Sequence, residues 1–186
     1  KARVPGTRFW SAACSSGQEP YSISMIIDEF LRANPGALAN NVQIIATDLS
    51  PSMLEMARAA SYDAAAMARG VSAERRRLFF KERFGRWQLN EDVRRRVTFS
   101  EHNLQFGFEP LGKFQVIFCR NVLIYFAADL KRSILARFAA ALQPGGYLFL
   151  SAAEAITGYS DAFEMLRLPQ SIVYRLKRAA VRPATG

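Results

Sequence analysis

Short apolar runs alternate along this chain with longer segments in which apolar residues recur every three or four positions. The runs have the length of buried strands, and the longer segments have the spacing of helices with one buried face. The predicted strands cover residues 8–13, 42–46, 114–119 and 147–150. The predicted helices cover residues 19–34, 50–60, 72–80 and 128–142. This alternation predicts an open α/β fold, with a mostly parallel sheet and helices on both of its faces.

The first predicted helix, residues 19–34, illustrates how the pattern assigns a buried face. Its apolar residues fall on one side at helical spacing, namely Ile23, Ile26, Ile27, Phe30 and Leu31. We expect that side to pack against the sheet.

Two regions depart from the alternation. Residues 83–99 are broken by Gly85 and Asn90 into strand-like pieces, and they predict a small antiparallel β insertion. Residues 163–168 and 172–176 predict an antiparallel pair of strands that closes the sheet. We expect one domain over residues 1–178, followed by a loose tail over residues 179–186.

A turn of small residues follows the first predicted strand. Cys14 to Gly17 have small side chains, so a ligand can approach their backbone closely. The next helix starts near Gln18, with Pro20 in its first turn. A strand, a small-residue turn and a helix N-terminus together form a nucleotide-type ligand site. Only Gly17 is a glycine, so the turn departs from the G-x-G-x-x-G pattern of dinucleotide-binding loops.

Two carboxylates near this turn are candidate ligand contacts. Asp48 ends the second strand, where an acidic residue can accept hydrogen bonds from ribose hydroxyls; an ordinary turn or N-cap aspartate is the alternative. Glu19 lies in the first helical turn, where the helix dipole alone favours a carboxylate, and its functional interpretation is a cofactor contact. No Gly-Lys-Ser/Thr follows the turn, which argues against a phosphate-binding loop. S-adenosylmethionine, with ribose and base but no pyrophosphate, fits these residues.

The chain of 186 residues carries a formal net charge of +9. Much of the positive charge lies in an arginine-rich stretch between residues 75 and 96, and it favours an acidic partner. Nucleic acid and a glutamate-rich protein surface both have the required charge. A solvated basic face with no partner is the third interpretation.

Composition limits the cellular compartments and the kinds of metal site that are expected for this chain. Half of the residues are hydrophobic, yet no apolar run reaches the ~18 residues that a membrane span needs. The first residues, KARVPGTRFW, contain no apolar signal-peptide region. Cys14 and Cys119 are the only cysteines, and their apolar strand contexts suggest a reducing, cytoplasmic location without a disulfide. One histidine and two cysteines argue against a conventional zinc site, and no metal is predicted.

Two segments that follow predicted strands resemble the signature segments of the chemotaxis receptor methyltransferase (CheR) family. They read SAACSSGQEPYS at residues 11–22 and FCRNVLIYF at residues 118–126. Three connecting segments are similar to the family as well: ATDLS at 46–50, FSEHNL at 99–104 and LQPGGYLFLSAAE at 142–154. The resemblance covers essentially the whole chain, and the paired signatures are specific.

The resemblance implies a class I methyltransferase fold and methyl transfer from S-adenosylmethionine to glutamate side chains. The family's acceptors are the cytoplasmic helices of methyl-accepting chemoreceptors, and its products are glutamyl methyl esters and S-adenosylhomocysteine. Transferred position by position, the resemblance implies six cofactor-binding residues: Glu19, Asp48, Asn103, Leu104, Arg120 and Asn121. Asp48 would hold the ribose, while Asn103 and Leu104 would line the adenine. Arg120 and Asn121 would line the methionine end.

The resemblance implies that Tyr125 lies near the transferred methyl group, and it makes Arg120 and Tyr125 the candidate catalytic residues. A glutamate acceptor has a reference pKa of ~4.3 and is an anion at neutral pH, so no general base is needed. The enzyme has to align the reacting atoms and hold them. Arg120 can pair with the incoming carboxylate, and Tyr125 can donate a hydrogen bond to it. A partly buried aromatic residue after a strand is the alternative interpretation of Tyr125.

The chain departs from the family pattern in three respects. The family's N-terminal helical domain, which contributes to the cofactor site, is absent from this sequence, and weakened cofactor affinity is expected. Gln18 replaces the first glutamate of G-E-E-P-Y-S, while Glu19 keeps the second. The family's G-H-S-E reads Ser-Ala-Ala-Glu at residues 151–154, and His102 does not replace the missing histidine.

The predicted insertion at residues 83–99 matches the family's β-subdomain, which contacts receptors. In some members a longer glycine-containing loop of this subdomain also binds a receptor's C-terminal pentapeptide. Here the loop looks short, with only Gly85. We therefore expect that the pentapeptide tether is not required.

Two other functions stay open at this point. The basic stretch suits a nucleic-acid methyltransferase, but base-nitrogen methylation usually uses an (Asp/Asn/Ser)-Pro-Pro-(Tyr/Phe) motif after the fourth strand. That place reads Arg-Asn-Val-Leu at residues 120–123, so no nucleic-acid partner is expected. The other alternative is a non-catalytic module that binds S-adenosylmethionine or docks on a receptor.

Overall fold

The computed structural model describes residues 6–37, 42–169 and 171–178, and the predicted tail at 179–186 lies outside them. The chain divides into two units, Lys1–Asn103 and Leu104–Gly186. The single domain over residues 1–178 stays a prediction.

The first unit contains, in chain order, β1 (Thr7–Ala12), α1 (Gln18–Ala33), β2 (Val42–Asp48), α2 (Pro51–Ala59), β3 (Ser61–Tyr62), α3 (Ala64–Ala68), α4 (Ala73–Phe79), β4 (Phe80–Arg83), β5 (Arg86–Leu89), α5 (Glu91–Arg94) and β6 (Val97–Glu101). Strands β1, β2 and β6 are parallel, with β2 in the middle. Apolar side chains at their centres, such as Trp10 and Ile44, are fully buried. Parallel strands place their carboxyl ends at the same edge, which positions the residues after β1, β2 and β6 together.

Helix α1 buries only part of the predicted face: Ile23 and Ile27 are buried as predicted. Ile26 and Phe30 are about half exposed, whereas the polar residues Ser24 and Asp28 are buried. Ser24 Oγ donates a hydrogen bond to the carbonyl of Val93 at 2.8 Å. The Asp28 carboxylate accepts hydrogen bonds from two arginines of the same unit. Because these polar groups are paired inside the protein, the buried stripe includes positions that an apolar pattern leaves out.

A small antiparallel sheet, with strand order β3-β5-β4, forms the insertion. Its apolar residues share a core with α1, in which Tyr62, Phe79 and Leu89 are buried beside Tyr21. Strands β4 and β5 are joined by the two residues Phe84 and Gly85. Both have positive φ, 50° and 72°, as the tightest hairpin turns require.

The bounds of this insertion differ from the predicted residues 83–99. The antiparallel strands start at Ser61 and end at Leu89, whereas residues 91–94 form a helical turn. Strand β6, Val97–Glu101, pairs in parallel with β2 and so belongs to the main sheet. Val97 and Phe99 are partly buried and pack against the core around Ala46 and Leu54, and this packing favours the place of β6 in the main sheet.

Much of the basic stretch at residues 75–96 is paired within the first unit. Arg75 forms a two-bonded ion pair with Glu29, with both distances 2.7 Å. Arg96 pairs with Asp28, and Arg95 pairs with Asp92. These contacts favour a structural role for several of the arginines that the sequence assigns to an acidic partner.

The second unit contains β7 (Phe114–Phe118), α6 (Ala128–Ala141), β8 (Leu142–Phe149), β9 (Phe163–Leu168) and β10 (Ser171–Leu176). Strands β7 and β8 are parallel, with α6 as their connection. Strand β10 pairs antiparallel with β8 on one side and with β9 on the other. The predicted closing pair of strands is therefore present.

The predicted turn at residues 144–146 lies inside β8, where the pairing with β7 shifts register between Phe114 and Val116. Gly145 has a φ of 75°. A Cβ atom on Gly146 would lie 2.9 Å from two backbone carbonyl oxygens. These glycines let the strand continue through an irregularity that other residues would not fit.

The predicted fold class is confirmed: parallel strands joined by helices, an antiparallel closing pair and a small antiparallel insertion. Among the described residues, no helix combines the length and the apolar character that crossing a membrane demands.

Candidate functional site

The turn between β1 and α1 has an unusual backbone. Three of its residues have positive φ: Ala13 at 58°, Ser15 at 49° and Gly17 at 87°. The amide of Cys14 donates to the carbonyl of Thr47 in β2 at 2.9 Å. Residues 13–17, called the loop below, are thereby joined to the carboxyl end of the neighbouring strand.

Gly17 is the one loop residue at which packing also requires glycine. A Cβ atom there would lie 2.9 Å from the Cβ of Ala57 in α2 and 3.3 Å from the ring of Tyr21. Together with its positive φ, this contact means that any other residue would displace α2 or the loop.

Asp48 connects the loop to the start of α2. Its Oδ2 accepts a hydrogen bond from the amide of Ser15 at 2.7 Å, and its Oδ1 accepts one from the amide of Ser50 at 2.9 Å. Each carboxylate oxygen can accept more than one hydrogen bond. The predicted turn role and the predicted ribose contact are therefore compatible in one side chain.

Glu19 lies in the first turn of α1 and is half buried. Its Oε1 accepts a hydrogen bond at 2.7 Å from the hydroxyl of Ser11, a fully buried residue of β1. Gln18, which replaces the first glutamate of the family pattern, is exposed. The hydrogen bond to β1 fixes Glu19 at the base of the loop.

The Cys14 thiol is not a nucleophile in this setting. Burial, with a further contribution from the Asp48 charge, raises its pKa to about 12. A thiol with that pKa carries almost no thiolate at neutral pH. A ligand therefore meets the backbone groups of the loop and the neighbouring carboxylates of Glu19 and Asp48 rather than a thiolate.

Tyr62 of the insertion holds the loop from the other side. Its hydroxyl donates a hydrogen bond to the carbonyl of Ser16 at 3.1 Å. Burial of the ring raises the pKa of Tyr62, so the hydroxyl stays protonated and a donor. The insertion is thus bonded directly to the loop.

Replacement of Tyr62 by phenylalanine should weaken cofactor binding while leaving the fold intact. One lost hydrogen bond of about 1 kcal/mol predicts a fall of roughly five-fold in affinity for S-adenosylhomocysteine, measured by calorimetry. Tyr21→Phe is the matched control, because Tyr21 donates to the carbonyl of Ala57 in α2 at 2.9 Å. Equal affinity losses in both variants would contradict a specific role of Tyr62 at the loop.

Asn103 and Leu104, the predicted adenine contacts, fall at the end of the first unit and the start of the second. In the first unit, the amide of His102 donates to the carbonyl of Asp48 at 3.1 Å, and this bond fixes the backbone between β6 and Asn103. In the second unit, Leu104 is buried and its carbonyl accepts a hydrogen bond from Arg137 of α6 at 2.7 Å. The backbone at each of these residues is therefore held by a contact with a distant part of the chain, Asp48 in the first unit and Arg137 in the second.

The predicted catalytic residues lie in the second unit, just after β7. Arg120 and Asn121 are exposed, and Asn121 has a φ of 63°. Tyr125 ends a short 3₁₀ turn, Leu123–Tyr125, and is 78% exposed. This exposure departs from the alternative interpretation of Tyr125 as a partly buried aromatic residue.

Arg120 borders a cleft of about 750 Å³ in the second unit. Its other lining residues include a second arginine, Arg167, and the apolar side chains of Met165 and Ile172. Positive groups beside apolar surface suit an acidic and amphipathic ligand.

Sequence reasoning missed Glu154 as a functional candidate. Its carboxylate is buried, 6% exposed, and lies close to the backbone that follows β7. The only sequence signal was its position at the end of the segment SAAE, which departs from the family's G-H-S-E.

Two solved structures to which this chain is similar are methyltransferases. A TehB-like SAM-dependent methyltransferase from Corynebacterium glutamicum matches with a TM-score of 0.54 and 14% identity, over 96% of this chain and 84% of that chain. The glycopeptide N-methyltransferase MtfA complexed with S-adenosylhomocysteine matches with a TM-score of 0.51 and 17% identity, over 95% and 55% of the two chains. At such identities the likeness shows the fold alone, that of the class I methyltransferases.

The particular family follows from the sequence. The family model described as CheR methyltransferase, SAM binding domain, matches residues 1–172. The chain belongs to this family, and the predicted resemblance and the predicted cofactor are confirmed at that level.

Curated relatives agree with the family. Chemotaxis protein methyltransferase 1 of Pseudomonas aeruginosa is 53% identical over 171 residues, or 91% of this chain and 62% of the relative. Chemotaxis protein methyltransferase Cher2 of Pseudomonas putida and chemotaxis protein methyltransferase 1 of Vibrio cholerae are each 52% identical over the same shares. The chain thus spans less than two thirds of the length of these relatives.

Proposed function

We propose that this chain transfers methyl groups from S-adenosylmethionine to glutamate side chains of chemoreceptors, acting in the cytoplasm. The products are glutamyl methyl esters and S-adenosylhomocysteine. The observation that carries the proposal is the placement of two carboxylates beside the loop in a chain of this family: Glu19 is bonded to Ser11 near the end of β1, and Asp48 is bonded to the amide of Ser15 in the loop.

The residues of the first unit fit this cofactor. Asp48 offers acceptor oxygens for ribose hydroxyls beside a backbone that small side chains leave accessible. Glu19 provides negative charge for an ammonium or sulfonium group. The loop contains no lysine or arginine, as suits a ligand with a cationic sulfur and no pyrophosphate.

When bound, S-adenosylmethionine supplies a methyl group activated by its positively charged sulfur. The glutamate acceptor is ionised at neutral pH, so the site needs no general base. In our proposal Asn121 lines the methionine end, Arg120 orients the incoming carboxylate, and Tyr125 donates a hydrogen bond to it. Asn103 and Leu104 line the adenine.

Charge and shape in the second unit support a receptor helix as acceptor. Arg120 and Arg167 line the 750 Å³ cleft together with apolar residues. A helix with glutamates on one side and apolar residues on the other has complementary chemistry. The paired arginines of the first unit contribute less to this attraction than their number suggests, because they are neutralised within the protein.

The hairpin of the insertion supports independence from a pentapeptide tether. Its turn consists of two residues, Phe84 and Gly85, and has no room for the longer glycine-containing loop of tether-binding members. We propose that receptors without the C-terminal pentapeptide are equally good substrates.

Transfer of radiolabelled methyl groups tests the proposal. The full-length protein is offered labelled S-adenosylmethionine with receptor membranes, membranes carrying receptors truncated at the C-terminus, RNA and DNA. We expect base-labile label in both receptor preparations, since methyl esters hydrolyse in alkali. Label in nucleic acid would establish the alternative enzyme, whereas cofactor binding without transfer to any acceptor would establish a binding module.

A further inference from the structure

The buried carboxylate of Glu154 is surrounded by five hydrogen-bond donors of the second unit. Oε1 accepts from the amides of Val122 at 2.9 Å and Leu123 at 2.7 Å. Oε2 accepts from the amide of Asn121 at 2.8 Å, and from the amide and hydroxyl of Ser151 at 2.9 and 2.7 Å. One side chain thereby collects the amides of three consecutive residues.

These donors keep Glu154 charged although it is buried. Burial alone would raise its pKa, but the hydrogen bonds from Ser151, Asn121 and Val122 outweigh it, and the net pKa lies below its ordinary value. All five donors are uncharged groups. A carboxylate held in this way is ionised at neutral pH, and its charge strengthens each of the bonds.

The three amides need an acceptor because of the local backbone. Asn121 has a φ of 63°, and Leu123 begins the 3₁₀ turn, so residues 121–123 precede the first internal bonds of that turn. Those bonds run from Tyr125 to Val122 and from Phe126 to Leu123. Leu123 is buried, which limits access of water to its amide. Without Glu154, the amide of the buried Leu123 would be left unsatisfied, and the amides of the exposed Asn121 and the partly buried Val122 would depend on water.

The clamped segment lies between the two candidate catalytic residues. Arg120 immediately precedes it, and Tyr125 follows two residues after it. Tyr125 is 78% exposed, so packing around its side chain does little to fix its position. The direction of both side chains therefore depends on the backbone that Glu154 holds.

We propose that Glu154 is a positioning residue for methyl transfer: its carboxylate fixes the amides of residues 121–123 and thereby the placement of Arg120 and Tyr125. Glu154 acts through the backbone, since both of its oxygens are directed to it. This inference rests on the proposed function, because the reaction gives Arg120 and Tyr125 their roles.

Glu154→Gln is the direct test, made in the full-length protein. The amide side chain keeps the volume but removes the charge and one acceptor oxygen, so at least two donors lose their partner. We expect kcat for receptor methylation to fall on the order of 10- to 100-fold, as misplacement by about 1 Å does in enzymes. Affinity for S-adenosylhomocysteine should change by a smaller factor than kcat.

Two variants separate positioning from loss of stability. Asp28→Asn removes the charge of another buried carboxylate, one that pairs with Arg32 of α1 and with Arg96, and it should leave kcat near the wild-type value at a similar loss of thermal stability. Ser151→Ala removes one donor but keeps the three amide bonds, and it should retain kcat within about three-fold. A folded Glu154→Gln protein with wild-type kcat would overturn the proposal. A fall in kcat of Asp28→Asn as large as that of Glu154→Gln would overturn it as well.

Amide hydrogen exchange provides a readout that does not depend on activity. In the wild-type protein the amides of Asn121, Val122 and Leu123 should exchange at least about 100-fold more slowly than unprotected amides. In Glu154→Gln they should lose most of that protection. Unprotected exchange in the wild-type protein would overturn the proposal even if Glu154→Gln does not fold. Absence of methyl transfer by the wild-type protein would refute the proposed function instead, and protection of these amides would then be unaffected.

Discussion

Replacement of Asp48 by alanine is expected to lower affinity for S-adenosylmethionine by at least about 100-fold. Hydrogen bonds to a charged group contribute about 1.5–3 kcal/mol each, and two ribose hydroxyls would lose theirs. The variant also releases the amides of Ser15 and Ser50, so the loop loses one of its bonds to β2, next to the proposed ribose contact, and keeps the bond from Cys14 to Thr47. Calorimetry with S-adenosylhomocysteine and S-adenosylmethionine measures the effect.

Asp63→Ala is the matched control for this variant. Asp63 is also an aspartate whose carboxylate caps backbone in the first unit, accepting from the amide of Ala66 at 2.7 Å at the start of α3. Loss of such a cap costs about 1 kcal/mol of stability. Both variants should therefore be destabilised, and only Asp48→Ala should lose the cofactor. Unchanged affinity in Asp48→Ala would remove Asp48 from the proposed site.

Arg120→Ala and Tyr125→Phe should each lower turnover far more than they lower cofactor affinity. A hydrogen bond or ion pair to the acceptor carboxylate at about 1.5–3 kcal/mol predicts a fall in kcat of roughly 10- to 100-fold in each variant. Both side chains are exposed, so the substitutions cost the fold little. Steady-state methylation of receptor membranes gives kcat, and binding of S-adenosylhomocysteine gives the affinity.

Controls of the same residue types lie in the same unit. Arg132 is an exposed arginine of α6 paired with Asp129 at 2.7 Å, and Tyr159 has the side chains of Lys131 and Arg132 over its ring. Arg132→Ala and Tyr159→Phe should retain turnover. If Arg120→Ala and Tyr125→Phe retain it equally well, the two residues have no catalytic role.

Local signals explain why the elements could be predicted from the sequence. Ser50 and Pro51 predict the start of α2. In the structure Ser50 is the N-cap, and its hydroxyl accepts a hydrogen bond from the amide of Met53. Apolar runs located β1, β2, β7 and β8 because a strand buried on both faces needs apolar residues at nearly every position. The capping signal and the apolar runs both involve residues that are close together in the sequence, so a single sequence is enough to detect them.

Pairing between distant segments accounts for the errors. Residues 94–99 have the composition of a strand, but nothing local distinguishes a hairpin partner from a parallel partner such as β2. The prediction for α1 was only partly right because it left out Asp28, which is buried in ion pairs with Arg32 and with Arg96, 68 positions further along the chain. Both errors concern partners that the local pattern does not specify.

Glu154 escaped prediction for a related reason. Three of the five groups that it binds are backbone amides 31 to 33 positions earlier. Every residue except proline carries such an amide, so the residue types at positions 121–123 do not indicate that they bind a carboxylate. The contacts of Asp48 with the amides of Ser15 and Ser50 have the same character, and there it was the position at a strand end that revealed the residue.

The three positive φ angles of the loop have a consequence for how ligand affinity arises. A left-handed conformation at Ala13 and Ser15 costs about 1–2 kcal/mol per residue, because each has a Cβ atom. Hydrogen bonds from Cys14 to Thr47, from Ser15 to Asp48 and from Tyr62 to Ser16 maintain it, and all of them lie within the protein. The entropy of ordering this segment therefore belongs to folding rather than to binding. Residues 13, 15 and 17 all have positive φ, and only residue 17 is a glycine. Folding rather than glycine content therefore holds the loop in this shape before a ligand arrives.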